Sequence, residues 1–342
     1  MRIQWSFLRI GRPAPMAYVV TAITLGLASC APHQTSVSAD GSVVAVRQGN
    51  DLAIGSPAHL QTIEGAGGDD IALSPDGSEL AVARQATGML YHVRSRQWTN
   101  LPDMWGPYAW SEDGSELVGC LTELQGKTRR FSKLRVFDVS NGKVESDLAI
   151  SQQPNWVVLR GGIVCWEADR HLWLWDRTSV RLVHSTAATE FSCPCEMDKD
   201  RSKLEWFEPQ STGEMTLMTY DLATHGFSKQ PVPSPAKILG RSYQNFRFGW
   251  GEIRPLAGRY GLLIVNKQTK KNGRIVFVFT DTKFKTVQEP VDLLFHVKPV
   301  KSRKSKLRIR GEVPLFMDGA WSADGHTFMM SGGLNAAPIK IG

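Results

Sequence analysis

"SPDGSELAVA" occupies residues 74–83, and "SEDGSELVGC" occupies residues 111–120. Working outward from this pair, Ser-x-Asp-Gly before an apolar run recurs as "SADGSVVAV" from Ser38 and "SADGHTFMM" from Ser322. Asp40, Asp76 and Asp113 stand 36 and 37 residues apart, a period expected of stacked supersecondary units. Asp-Gly between two β-prone runs predicts a tight hairpin, because both central residues tolerate positive φ. Asp40, Asp76, Asp113 and Asp324 are therefore read as structural turn residues.

Each turn is followed by a strand of alternating apolar residues that closes on Asp or a substitute. The copies are "MLYHV" (Met89–Val93), "LRVFDV" (Leu134–Val139), "LWLWDR" (Leu172–Arg177), "LMTYDL" (Leu217–Leu222) and "RIVFVFTD" (Arg274–Asp281). Short pieces such as "QWTNLP" (Gln97–Pro102) supply a further strand. Four strands per unit of roughly 45 residues is the pattern of a propeller blade. "LRGGIVCW" (Leu159–Trp166), "DKDRSKLEW" (Asp198–Trp206) and "LAGRYGLLIV" (Leu256–Val265) align as degenerate copies, with Asp200-Arg201 in place of Asp-Gly. The turns then fall near residues 40, 76, 113, 161, 200, 257 and 324. Seven blades fit the spacing, and six or eight remain open.

These residues resemble the TolB-like and WD-type β-propeller repeats, in which Ser-Pro-Asp-Gly opens the second strand of each blade. The resemblance spans residues 37–342 and implies an all-β, single-domain propeller. It departs from the family where three units have lost the motif and where no room is left for TolB's separate N-terminal domain. Sialidase Asp-boxes are excluded, because Gly follows Asp directly and no Trp stands three residues on. Trp110 and Trp321 share a blade position with Leu73 and Val37, which reads as packing between blades. "PIKIG" at the end of the chain reads as the third strand of the last blade. Either that blade has three strands, or the segment around Ala31–Ser36 closes the ring.

The amino-terminal 29 residues read as a leader. Arg2, Arg9 and Arg12 precede the apolar run Met16–Leu27, which is too short to span a bilayer. "LASC" (Leu27–Cys30) follows and resembles the lipobox of bacterial lipoproteins. That resemblance implies cleavage before Cys30 and acylation of its thiol and amine, palmitate included. Residues 30–36 would form the lipidated tether. Ala31 in place of Asp implies retention in the outer membrane, facing the periplasm.

The formal charge is +7 at pH 7, and loss of Arg2, Arg9 and Arg12 with the leader would lower it to +4. Where the charge sits is more informative than its sum. In a blade of alternating strands A to D, the A–B turns share one face, and the B–C and D–A connections share the other. "TELQGKTRRFSK" brings Lys127, Arg129 and Arg130 to a B–C connection. "NKQTKKNGR" brings Lys267, Lys270 and Lys271 to another. "KPVKSRKSKLRIR" brings Lys298, Lys301, Arg303, Lys304, Lys306, Arg308 and Arg310 to the connection before the last blade. Together they predict a basic face suited to anionic lipid or another envelope polyanion. Nucleic acid is not expected, because interleaved aromatics are missing.

Cys120, Cys165, Cys193 and Cys195 remain after Cys30, an even number that permits two disulfides without fixing their connectivity. "CPC" is a poor bridge, and Cys193 and Cys195 have no histidine at metal-ligand spacing. No nucleophile elbow, HExxH helix or Gly-rich phosphate loop is present. No catalytic residue, cofactor or metal is therefore expected. Asp70, Asp103 and Asp318 would lie at the channel mouth, either capping their own loops or holding a cation or small ligand. The leading expectation is a membrane-tethered, non-catalytic binding or scaffold module with envelope partners. The alternative is an enzyme or metal-dependent binder that uses those acids.

Overall fold

The structure is a computed structural model. It describes residues 2–6, 35–48, 50–68, 70–84, 87–101, 103–125, 128–186, 195–198, 202–210, 214–248, 254–256, 259–267, 272–287, 290–298, 318–321, 327–332 and 335–340. Cys30, Cys193, Lys127, Lys270, Lys271, Asp324 and the basic run 301–310 lie outside these residues.

The Ser-x-Asp-Gly turns explain how each unit starts. In all three described copies the Ser amide donates to the carbonyl five residues on: Ser38 to Val43, Ser74 to Glu79 and Ser111 to Glu116, at 2.8–2.9 Å. The Ser hydroxyl donates to the Asp carboxylate and accepts the amide that opens the second strand, as Ser74 does with Asp76 (2.7 Å) and Glu79 (2.9 Å). Only the glycines are left-handed, with φ of 70°, 72° and 75° at Gly41, Gly77 and Gly114. The two-residue Asp-Gly turn expected from sequence is thus corrected. The reversal uses all four motif residues, and Asp serves as acceptor rather than as a positive-φ residue.

These turns seed a series of antiparallel sheets. A first strand, β1 (Arg2–Ser6), joins a later sheet. Sheet 1 contains β2 (Thr35–Val37), β3 (Val44–Gln48), β4 (Asp51–Ser56) and β5 (His59–Ile63). Sheet 2 contains β6 (Asp70–Leu73), β7 (Glu79–Arg84), β8 (Thr87–His92) and β9 (Gln97–Leu101). Sheet 3 contains β10 (Met104–Trp110), β11 (Glu116–Gln125), β12 (Thr128–Asp138) and β13 (Lys143–Ala149). Sheet 4 contains β14 (Trp156–Arg160), β15 (Ile163–Ala168), β16 (His171–Trp175) and β17 (Val180–Ser185). Sheet 5 contains β18 (Glu196–Met197), β19 (Lys203–Pro209), β20 (Met215–Asp221) and β21 (Phe227–Pro231). A short helix, α1 (Pro235–Leu239), leads on to sheet 6. That sheet contains β22 (Arg247–Phe248), β23 (Arg254–Leu256), β24 (Arg259–Lys267), β25 (Asn272–Thr280) and β26 (Val291–Lys298), with β1 on its outer edge. Sheet 7 contains β27 (Asp318–Trp321), β28 (Thr327–Gly332) and β29 (Asn335–Lys340).

The hairpins expected near residues 161, 200 and 257 join β14 to β15, β18 to β19 and β23 to β24. At the second of these, Asp198 takes the role of the motif's Ser. Its amide donates to the Lys203 carbonyl, and its carboxylate accepts from the amides of Ser202 and Lys203.

Burial shows how the sheets associate. Leu80, Ala81, Val82 and Ala83 on β7 are all 0% exposed, so this strand is covered on both faces. Leu80 and Val82 pack with Ala45, Leu52 and Ile54 of sheet 1, whereas Ala81 and Ala83 pack with Met104, Tyr108 and Trp110 of sheet 3. Further apolar clusters join sheets 3 and 4, 4 and 5, and 5 and 6. Strand β2 packs against β27 and brings the last sheet beside the first. The sheets therefore follow one another around a ring. Outer strands are the exposed ones, and β21 is exposed at every residue.

Sheet 7 has three described strands, and β2 pairs with β3 inside sheet 1 rather than with the last sheet. Of the segment expected for the alternative closure, residues 31–34 lie outside the described residues. Strand β2 also begins inside the segment 30–36 that was read as tether. Cys120 and Cys165 are buried free thiols, which removes both of them from the disulfides the even cysteine count had allowed.

Candidate functional site

The alternating strand directions place the A–B and C–D turns on one face. That face carries more acid than the Ser-x-Asp-Gly motif alone provides. Asp138, Asp176, Asp221 and Asp281 each close a third strand and accept backbone amides from the turn that follows. Hydrogen bonds from Thr178 and Ser179 hold the Asp176 carboxyl far below the usual carboxylate range. Those from Ser140 and Asn141 lower Asp138, and those from Thr224 and Ala223 lower Asp221. Asp113 is lowered to about 2 by Ser111 and Ser115. Asp113, Asp138, Asp176 and Asp221 are therefore ionised at neutral pH. The sequence signal for the C–D acids was the Asp that ends each alternating strand.

On the opposite face, the basic residues are less loop-like than expected. Strands β11 and β12 run on to Gln125 and Thr128, so Arg129 and Arg130 are strand residues, in register with Leu124 and Glu123. The loop assignment is corrected: this B–C connection is a long hairpin. Lys267 is the last residue of β24, paired with Gly273. Lys298 ends β26 and faces Arg2 across the sheet.

The three candidate channel acids are dispersed over different connections. Asp70 opens β6, and its two carboxylate oxygens accept the amides of Ile71 (3.0 Å) and Tyr108 (2.9 Å). It thereby joins the inner strands of sheets 2 and 3. Trp110 adds a second link, its indole donating to the Ala72 carbonyl at 2.9 Å. Asp103 lies in the connection from β9 to β10 with a left-handed φ of 52°. Asp318 is the first residue of β27, in register with Ser331. Among the described residues no group of three or more His, Cys, Asp or Glu side chains is placed to hold a metal ion.

Several polar links between sheets were not evident in the sequence. Arg160 on β14 reaches Glu196 on β18 at 2.6 Å and also donates to the Leu159 carbonyl. Arg177 reaches Glu116 at 2.8 Å while its guanidinium lies over the Trp175 ring. His184 and Thr186 both meet Glu208 on the next sheet. Burial would raise the Glu208 carboxyl, but these two contacts hold it below its ordinary value. A shallow, open groove over sheet 2 is lined by Ser78, Glu79, His92, Arg94, Ser95 and Gln97. Its histidine is already held between Glu79 and Thr99.

No family model and no curated protein matches the chain, but solved structures do. A chain of the mitotic checkpoint complex is 13% identical, with a TM-score of 0.58 over 98% of this chain and 100% of that one. Oligogalacturonate lyase from Vibrio parahaemolyticus is 13% identical, with a TM-score of 0.53 over 90% of this chain and 89% of its own. The putative TolB from Agrobacterium tumefaciens is 14% identical and matches 58% of this chain and 79% of its own, with a TM-score of 0.43. The ring of four-stranded sheets is an all-β propeller, and the first two likenesses share that fold. At such identities only the fold is shared, and a propeller hosts unrelated activities. Function must come from the surfaces.

Proposed function

We propose that this chain is an envelope lipoprotein, anchored through acylated Cys30, whose propeller is a non-catalytic binding or scaffold module. Its basic face would meet anionic headgroups or another envelope polyanion. The observation that carries this reading is the separation of charge. Turn carboxylates gather on the A–B and C–D face, while the strongest basic runs of the sequence are expected on B–C and D–A connections. A module polarised in this way orients in the field of an anionic surface even when its net charge is small.

The lipobox-like "LASC" supplies the address, the outer membrane on the periplasmic side. Cys30 lies five residues before β2 begins at Thr35. Five residues span at most roughly 17 Å. Strand β2 is entered from the D–A side, so the lipid would hold the basic face towards the bilayer. Asp70, the best described of the channel acids, spends its carboxylate on backbone amides, which favours the binding module over the enzyme alternative.

Vesicle co-sedimentation of a soluble form beginning at Ala31 tests the proposal. Binding to anionic but not neutral vesicles, lost at high salt, is the expected result. Equal behaviour towards both lipids, or no binding at low salt, would overturn it.

A further inference from the structure

The outer strands of sheets 1 to 5 carry no added strand among the described residues, but sheet 6 does. Strand β1 pairs antiparallel with β26 over five positions: Arg2 with Lys298, Ile3 with Val297, Gln4 with His296, Trp5 with Phe295 and Ser6 with Leu294. These five residues belong to the stretch read as a removable leader. An edge strand displays unpaired backbone donors and acceptors, and proteins usually blunt it with charge, proline or shortness. The outer strands β5, β9 and β21 are five residues long, and β21 ends in proline. Strand β26, "VDLLFHVK", is eight residues long with charges only at Asp292 and Lys298. Of the described outer strands it is the least protected.

We propose that the outer edge of β26 is a strand-acceptor site. In the full-length chain it is filled by residues 2–6. Once the leader is gone, it takes an extended segment of another envelope protein. The leader's removal is part of the function proposed above, and the inference rests on it to that extent.

The register also describes the segment that fits. Arg2 opposite Lys298 sets like charges across the sheet, which is unfavourable for a cross-strand pair. Among the described residues, Val291, Asp292 and Leu293 have no outer partner. A better occupant therefore places an acidic residue opposite Lys298 and a basic residue six positions later, opposite Asp292. Between them it offers β-prone residues. The chain's own strand satisfies neither end, so it fills the edge without competing strongly for it.

The test uses the chain from Ala31 and two fluorescent peptides read by anisotropy. One is MRIQWSFL, residues 1–8 of this chain, and the other is MEIQWSFK, carrying Arg2→Glu and Leu8→Lys. The second should bind more tightly, by at least about threefold. Lys298→Glu in the protein, a charge change at a strand end, should reverse that order. The full-length chain should bind both peptides more weakly than the chain from Ala31, because residues 2–6 compete. Failure of either peptide to bind, or an order of affinities indifferent to Lys298→Glu, would overturn the acceptor site. Palmitate labelling of Cys30 in bacteria separates the two readings. Peptide binding to the chain from Ala31 without labelling of Cys30 would refute the lipid anchor and leave the acceptor edge standing.

Discussion

At Ser74 a single hydroxyl closes a turn. It donates to Asp76 and accepts the Glu79 amide, while Ser74 itself is 2% exposed. Ser74→Ala leaves that amide without its acceptor and is expected to cost about 1–2 kcal/mol in a urea titration. The carboxylates of these turns link stability to pH. Asp113 is lowered to about 2 by Ser111 and Ser115, and Asp40 is lowered by Ser42 and Ser38. Burial works against the lowering of Asp76, but Ser74 and Ser78 outweigh it. A carboxyl lowered in the folded state binds its proton more readily in the unfolded chain. Its contribution is therefore complete above the ordinary carboxylate range, about 4, and is lost as pH falls towards 2. The urea midpoint should fall across that window. Asp113→Asn should lower the midpoint at pH 7 and converge on the parent near pH 2. The Ser and Asp of this motif were legible because both act within five residues of chain. The degenerate copy from Asp198 was legible by alignment, but the way its carboxylate accepts both the Ser202 and Lys203 amides was not.

At the scale of elements, the inner strands meet too closely for a side chain at Gly106. A Cβ there would lie 2.3 Å from the Asp70 carboxylate oxygen and 2.5 Å from its Cβ. Gly106→Ala must displace the carboxylate that holds the Tyr108 amide, and is expected to lower Tm by roughly 2–6 °C. The cysteines offer an independent check on how the sheets pack. Burial, with the Asp70 charge beside it, pushes the Cys120 thiol far up, and Cys165 and Cys195 are 1% exposed. In a chain from Ala31 carrying Cys193→Ser, a thiol reagent should label none of the three until denaturant is added. The strand repeat was legible wherever apolar residues alternate between two covering sheets. The extension of β11 and β12 was not, because "ELQGKTRRF" lacks the period-two signal and its charges read as a loop. The pairing of β1 with β26 was also beyond the sequence, since nothing local marks two strands almost 300 residues apart as partners.

For the molecule as a whole, the division of charge between two faces is the property most open to experiment. Each Lys or Arg near an anionic bilayer is worth on the order of 1 kcal/mol. Reversing Lys301, Arg303, Lys304 and Lys306 to Glu in the chain from Ala31 should abolish sedimentation with anionic vesicles. The far-UV circular dichroism should stay unchanged. Retained sedimentation would show that these side chains do not form the contact. The basic residues themselves were legible as a sequence run, and strand order puts Arg129, Arg130, Lys267 and Lys298 at the B–C and D–A ends of their strands. What the sequence left open was how the ring closes.

That closure has a mechanical meaning. Strand β2, three residues long, is hydrogen-bonded to β3, accepts the Leu73 amide of β6 at the Ser36 hydroxyl, and lies close to β27. A membrane anchor at Cys30 would pull on this strand first. Such a load would unzip β2 from β3 a pair at a time, whereas a load between residues of sheets 3 and 5 must shear whole buried interfaces. The propeller would thus carry its mechanical fuse beside its own anchor, yielding there at low force while the remaining sheets hold their shape.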